Sequence, residues 1–119
     1  MDNQVKIASG LNIVAGIWLI LAPFILGYSY LSGALWNDII IGAVVLIMAA
    51  VREWGNSEDT TWASWINLVL GIWLIIAPFI IGYSYASAAL WNDIIIGIVV
   101  AVLAGWSGSA ATAMPRRSV

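Results

Sequence analysis

The chain has 119 residues, of which 63% are hydrophobic and 8% are charged, and its mean hydropathy is +1.01. A soluble domain carries about 25% charged residues to cover its surface, so this composition excludes a water-soluble globule and indicates a protein of the lipid bilayer. With no Cys, no His and a net charge of −2, the chain lacks the usual ligands of haem, zinc and iron–sulfur clusters and any charge pattern for nucleic acid. We therefore predict no cofactor and no nucleic-acid partner.

Four apolar segments follow one another along the chain, over residues 5–27, 33–51, 62–82 and 88–106. Each is about 20 residues long, which matches a hydrocarbon core of about 30 Å at a helical rise of about 1.5 Å per residue. Strands of a transmembrane barrel would be about half as long. The first segment recurs inside the chain, so we interpret it as a retained span and not a signal peptide. The fold class predicted is an all-α membrane protein of four transmembrane helices.

The four segments form two tandem copies of one two-helix unit. Residues 16–49 and 71–104 are identical at 26 of 34 positions, at a constant offset of 55. This duplication divides the chain into repeat 1 (1–51), a cytoplasmic linker (52–61), repeat 2 (62–106) and a flexible basic tail (107–119). Because each unit crosses the membrane an even number of times, the copies are expected in parallel orientation, related by an axis along the membrane normal.

Basic residues predict the orientation of the chain. All four of them, Lys6, Arg52, Arg116 and Arg117, fall on the face that carries both termini and the linker. By the positive-inside rule, both termini are expected in the cytoplasm. Aromatic residues of the opposite interface are predicted to be Trp36, Trp91, Tyr28 and Tyr83.

The second helix of each unit is expected to begin near a serine. Ser32 and Ser87 are the predicted N-caps. A later start at Asn37 and Asn92 would leave only about 14 apolar residues, which is short for a span. We therefore favour the longer helices.

Small and polar residues recur in steps of four, which keeps them on one face of each helix. The residues predicted to serve helix packing are Asn12, Gly16, Asn67, Gly71, Gly42 and Gly97. Small side chains let helices approach closely, and an asparagine among apolar groups seeks an interhelical hydrogen bond. As an alternative, Asn12 and Asn67 belong to a polar pathway.

Pro23 and Pro78 are predicted to kink the first helix of each unit.

Two acidic residues stand out because ionisable groups at membrane depth are costly and often functional. Asp38 and Asp93, with their neighbours Asn37 and Asn92, form a candidate polar or ion site. The alternative is that each aspartate only complements the dipole of a helix N-terminus near the headgroups. No nucleophile or electrophile accompanies the carboxylates, so we predict no enzyme activity.

The repeated pattern resembles the SPW repeat family of small prokaryotic membrane proteins. The residues that carry the resemblance are Gly16, Trp18, Pro23, Gly27, Trp36, Asn37 and Gly42, together with Gly71, Trp73, Pro78, Gly82, Trp91, Asn92 and Gly97. The triplet that names the family reads Ala22-Pro23-Phe24 and Ala77-Pro78-Phe79 here, a departure that weakens any role of the triplet itself. The resemblance covers residues 12–50 and 67–105 and implies the four-helix fold and a location in the prokaryotic cell (inner) membrane, but no activity.

Three functions remain open at this point. The leading hypothesis is a structural or interaction module that forms a homo-oligomer or joins a larger membrane complex, because the small-residue faces suit helix–helix contact. A second is a small channel or transporter that uses Asp38 and Asp93. A third is a binder of a pigment or quinone stacked on Trp18 and Trp73. Carboxylates that point inward and lie close together would favour the second hypothesis over the first.

Overall fold

The computed structural model describes residues 2–56 and 59–113. Its helices are α1 (Asp2–Ile25), α2 (Ser32–Trp54), α3 (Thr61–Ala77) and α4 (Ser87–Ala113), and one π-helical turn, Pro78–Gly82, follows α3. Within those two ranges there is no strand. Four stretches are long and apolar enough to cross a membrane, namely Asn3–Ile25, Ser32–Trp54, Thr61–Gly82 and Ser87–Ser109. The predicted fold class of four apolar helices is confirmed.

The second helix of each unit begins where the longer of the two predicted helices would begin, but the predicted serine N-caps are wrong. Ser32 is the first residue of α2, the N-cap position belongs to Leu31, and no side chain caps the helix. The reason is local: the amide of Leu35 already donates to the carbonyl of Leu31, at 2.8 Å, so the helical bonding begins one residue earlier. Ser87 likewise is the first residue of α4 and does not flank it.

The polar segments are shorter than predicted. The loop between α2 and α3 covers residues 55–60, because Arg52 and Glu53 still belong to α2. Helix α4 continues to Ala113 where a flexible tail was expected from residue 107, because Ser107 and Gly108 are buried against the bundle. The rest of the predicted tail, with Arg116 and Arg117, lies outside the described residues.

Each helix packs mainly on the other helix of its own unit. α1 lies on α2 and α3 on α4, while α1 also contacts α4 and α2 contacts α3. The glycines allow this approach: a Cβ added at Gly16 would lie 2.8 Å from the carbonyl oxygen of Gly42. The same distance is 2.7 Å between Gly71 and Gly97. The glycines of the predicted stripe therefore contact each other within the chain.

A wide turn ends the first helix of each unit. The amide of Tyr28 donates to the carbonyl of Pro23 at 2.9 Å, and that of Tyr83 donates to Pro78 at 3.0 Å, five residues earlier instead of the usual four. The intervening glycines, Gly27 and Gly82, adopt φ angles of +85° and +102°, which other residues rarely adopt. The turn directs the tyrosine side chain that follows into the bundle. We call this end of the molecule the turn end, and the end with residues 55–60 the loop end.

Candidate functional site

Two aspartates lie in the centre of the bundle near its turn end. Asp38 on α2 and Asp93 on α4 are both fully buried. Both carboxyl groups point inward, and each accepts from a tyrosine hydroxyl that itself accepts from the asparagine beside the other aspartate. The candidate polar site predicted around these residues therefore consists of one inward-facing pair, contributed by the two units.

A tyrosine hydroxyl accompanies each carboxyl group. The hydroxyl of Tyr28 donates to Oδ2 of Asp38 at 2.5 Å, and the hydroxyl of Tyr83 donates to Oδ2 of Asp93. Burial, above all, and the neighbouring carboxyl group raise the pKa of both tyrosines above the ordinary value, so both remain donors.

The prediction that Tyr28 and Tyr83 belong to an interfacial aromatic belt is wrong, since they are only 2% and 3% exposed. The wide turn places them inside the bundle and leaves Tyr30 and Tyr85 outside. Trp36 and Trp91, predicted for the same belt, are each 58% exposed.

Asparagine and tryptophan side chains extend the site across the two units. Nδ2 of Asn92 donates to the hydroxyl of Tyr28 at 2.9 Å, and Nε1 of Trp18 donates to Oδ1 of Asn92 at 2.8 Å. In the other direction, Asn37 donates to Tyr83 at 3.0 Å and Trp73 donates to Asn37 at 2.9 Å. We call the eight residues the carboxyl cluster: Trp18, Tyr28, Asn37, Asp38, Trp73, Tyr83, Asn92 and Asp93.

Sequence reasoning identified the aspartates and asparagines of this cluster but missed the roles of Tyr28, Tyr83, Trp18 and Trp73. A signal was present, because each tyrosine precedes its aspartate by ten residues in both copies. The partners of the tryptophans, in contrast, come from the opposite unit, which no pattern within one copy reveals. Both indole N–H groups donate within the cluster.

A second polar cluster lies at the loop end, around Arg52. This side chain is only 2% exposed, although its charge was assigned to the cytoplasmic surface from the sequence. Its Nε donates to the hydroxyls of Ser64 at 2.7 Å and Ser107 at 2.9 Å, and a terminal nitrogen donates to the backbone carbonyl of Ser107 at 2.8 Å. The guanidinium is buried because α3 and α4 supply hydroxyl and carbonyl acceptors that replace water.

Asn12 and Asn67 lie between this cluster and the middle of the bundle. Each donates across the units to a backbone carbonyl, Asn12 to Val100 at 3.4 Å and Asn67 to Val45 at 3.2 Å. Their Oδ1 atoms make no hydrogen bond with any of the residues that the structure describes. Pro23 and Pro78, the predicted kink residues, are fully buried beside the wide turns.

An apolar layer separates the asparagines from the carboxyl cluster. Ala15, Val45 and Val100 form its buried centre, and Ile41, Leu70 and Ile96 pack against them. The two polar clusters therefore belong to the same interior but are not continuous with each other.

Comparison with protein families identifies the chain. Residues 6–107 match the SPW repeat domain. The chain belongs to the SPW repeat family. The match covers both units and confirms the resemblance predicted from the glycine, tryptophan and proline pattern. No curated protein and no solved structure matches the chain.

Membership of the SPW repeat family and the four apolar helices together indicate a small multi-pass membrane protein. The chemistry of its carboxyl cluster is limited to four kinds of group, the carboxyl, amide, phenol and indole groups. These groups bind and exchange protons and can supply oxygen ligands to a cation. Among the described residues no set of three or more His, Cys, Asp or Glu side chains comes together to hold a metal ion.

Proposed function

We propose that this SPW repeat protein is a small, non-enzymatic transport protein that binds a proton or a monovalent cation between Asp38 and Asp93. The observation that carries the proposal is the inward orientation of two fully buried carboxyl groups that belong to one hydrogen-bonded cluster. Ionisable residues inside membrane proteins commonly mark ion pathways and proton relays.

The surroundings of the pair support a cation as its ligand. Two like charges at short range in an apolar interior repel strongly, and a positive charge between them removes that repulsion. On each aspartate, Oδ2 accepts from a tyrosine hydroxyl, while Oδ1 has a long contact of 3.5 Å with the neighbouring asparagine. On each carboxyl group, Oδ1 is therefore the oxygen at which a shared proton or cation would bind.

Transport is tested in liposomes that contain the purified protein. We expect the wild-type protein to conduct protons, Na⁺ or K⁺ down an imposed gradient, and the double variant Asp38→Asn/Asp93→Asn to lose this flux by at least about tenfold. Asp59→Asn is the matched control, because Asp59 is an exposed carboxylate in the loop. A pH-sensitive dye and tracer ions in separate experiments distinguish a proton from a metal cation.

The proposal fails if the wild-type protein conducts none of these cations, or if the double variant conducts them as well as the wild type. Size-exclusion chromatography of both proteins checks that the asparagines, which have nearly the same shape as the aspartates, leave assembly unchanged.

A structural or interaction module remains the second candidate, and one observation favours it. An apolar groove of about 550 Å³ runs between α1 and α4 and is lined by Leu11, Val14, Ala15, Ile96, Ile98, Val99, Val102 and Leu103. Against this, the glycine stripes that motivated self-association already pack within the chain. Native mass spectrometry of protein extracted from its own membrane tests the candidate: a stoichiometric homo-oligomer or complex would support it, and a monomer would contradict it.

A further inference from the structure

Two buried oxygen atoms near the loop end have no donor. Oδ1 of Asn12 on α1 and Oδ1 of Asn67 on α3 make no hydrogen bond to the described residues, although both side chains are 98% buried. An unpartnered acceptor in an apolar interior is destabilising, because it has lost its hydrogen bonds to water without gaining others. The orientation of each amide is fixed, because Nδ2 donates to a backbone carbonyl on another helix. Turning the amide over would place one oxygen against another.

Both side chains line one small cavity, together with Ser9, Ala49, Arg52, Ser64 and Ser107. Its volume is about 10 Å³, which corresponds to about one water-sized sphere. The cavity is therefore polar, enclosed by three hydroxyl side chains and two amides, and large enough for a single small molecule.

The chemistry of the lining specifies the ligand. Two acceptor oxygens require a molecule that donates two hydrogen bonds. A metal cation would also suit oxygen ligands, but the guanidinium of Arg52 lines the same cavity. A metal cation there would lie beside the positive charge of the guanidinium and be repelled by it. A neutral donor of this size is water.

We infer that one buried water molecule bridges Asn12 and Asn67 by donating one hydrogen bond to each Oδ1 atom. The water links α1 of one unit to α3 of the other at the loop end. The carboxyl cluster makes the corresponding connection at the turn end through direct side-chain contacts. A buried water that satisfies otherwise unpaired polar groups is a structural part of a protein.

Nuclear magnetic resonance of protein labelled with ¹⁵N only at asparagine tests the inference. The chain has six asparagines, so the side-chain amide spectrum is simple. We expect rotating-frame Overhauser cross-peaks to water at the amide protons of Asn12 and Asn67. Asn37 and Asn92 are matched internal controls, because they are also buried but their Oδ1 atoms accept from Trp73 and Trp18; they should show none. Amide protons that exchange directly with bulk solvent give cross-peaks of the opposite sign, so the sign of a peak distinguishes exchange from a bound water.

A variant tests whether one water serves both residues. In Asn12→Leu, the water loses one of its two acceptors. We therefore expect the cross-peak between water and the Asn67 amide to be lost. Persistence of that peak would show that the two residues do not share a water. If Asn12→Leu does not fold, the wild-type spectrum still decides: absence of water cross-peaks at Asn12 or at Asn67 overturns the inference.

Discussion

At the scale of single residues, the position of the tyrosine hydroxyls distinguishes this interior from an ordinary apolar bundle. Tyr28 and Tyr30 are two residues apart, yet one is buried and bonded to Asp38 and the other is 76% exposed. The difference arises from the wide turn, which directs the first tyrosine inward and the second outward. Two residues of the same type in the same turn thus provide a matched pair for measurement.

Removal of the Tyr28 hydroxyl should destabilise the protein. In Tyr28→Phe, Asp38 loses its closest donor and Nδ2 of Asn92 loses its acceptor. Because both groups stay buried, we expect a loss of about 1–3 kcal/mol in the free energy of unfolding, seen as a lower midpoint of thermal unfolding in detergent. Tyr30→Phe should change the stability by less than about 0.5 kcal/mol, as surface substitutions do. Equal effects of the two variants would contradict the buried network.

The buried role of Tyr28 could not be predicted from the sequence, and the reason is physical. Tyrosine near the end of a span has two favourable environments, the headgroup region and a hydrogen-bonding partner inside the protein. The choice between them depends on the direction in which the turn after Pro23 places the side chain. Asp38, in contrast, could be named as a candidate from the sequence because ionisable groups at membrane depth are costly, although the dipole of the helix N-terminus offered a structural explanation for it.

At the scale of helices, the sequence predicted four helices and the two-helix repeat because both follow from local patterns. Apolar length determines a span, and glycines in steps of four determine a close-packed face. Which helix faces contact each other depends on the packing of the whole bundle and cannot be predicted from one segment. The sequence around Arg52, for example, predicts a surface charge at the end of a span, and only the packing of α3 and α4 supplies the acceptors that allow its burial.

Close packing between helices is tested by adding one methyl group. In Gly16→Ala the new Cβ would lie 2.8 Å from the carbonyl oxygen of Gly42 and 2.9 Å from the amide nitrogen of Leu46, both backbone atoms that cannot rotate away. The two helices must separate, and we expect a loss of about 1–3 kcal/mol in stability, as for other overpacked cores. The loss of stability is measured by unfolding the protein in a denaturing detergent and monitoring its α-helical content by circular dichroism.

Gly105→Ala is the control for that substitution. A Cβ at Gly105 would meet no atom within 4 Å, and alanine favours a helix over glycine by about 1 kcal/mol. The variant should therefore be as stable as the wild type or more stable. If Gly16→Ala proved equally harmless, α1 and α2 would not pack as closely as the structure shows.

At the scale of the whole molecule, the two ends of the bundle differ in a way that the duplication alone would not produce. Arg52 of the first unit corresponds, 55 residues on, to Ser107 of the second, and these two residues contact each other. The units are therefore alike at the turn end, where each carboxyl, tyrosine and asparagine has a counterpart, and unlike at the loop end. Among the described residues the loop end therefore has one buried arginine, whereas the turn end has a pair of equivalent aspartates.

The orientation of the molecule in the membrane is predicted from its basic residues. Lys6 and Arg52 both lie at the loop end, so by the positive-inside rule we expect that end to face the cytoplasm. Because the chain has no cysteine, single cysteines report the orientation without background. In intact cells, a membrane-impermeant maleimide should label Tyr30→Cys at the turn end and should label Asp59→Cys at the loop end only after the membrane is disrupted. Both positions are exposed, so a difference in labelling reflects sidedness. The reverse pattern would place the carboxyl cluster near the cytoplasm, and the proposed transport site would then open first to the cytoplasmic pool of cations.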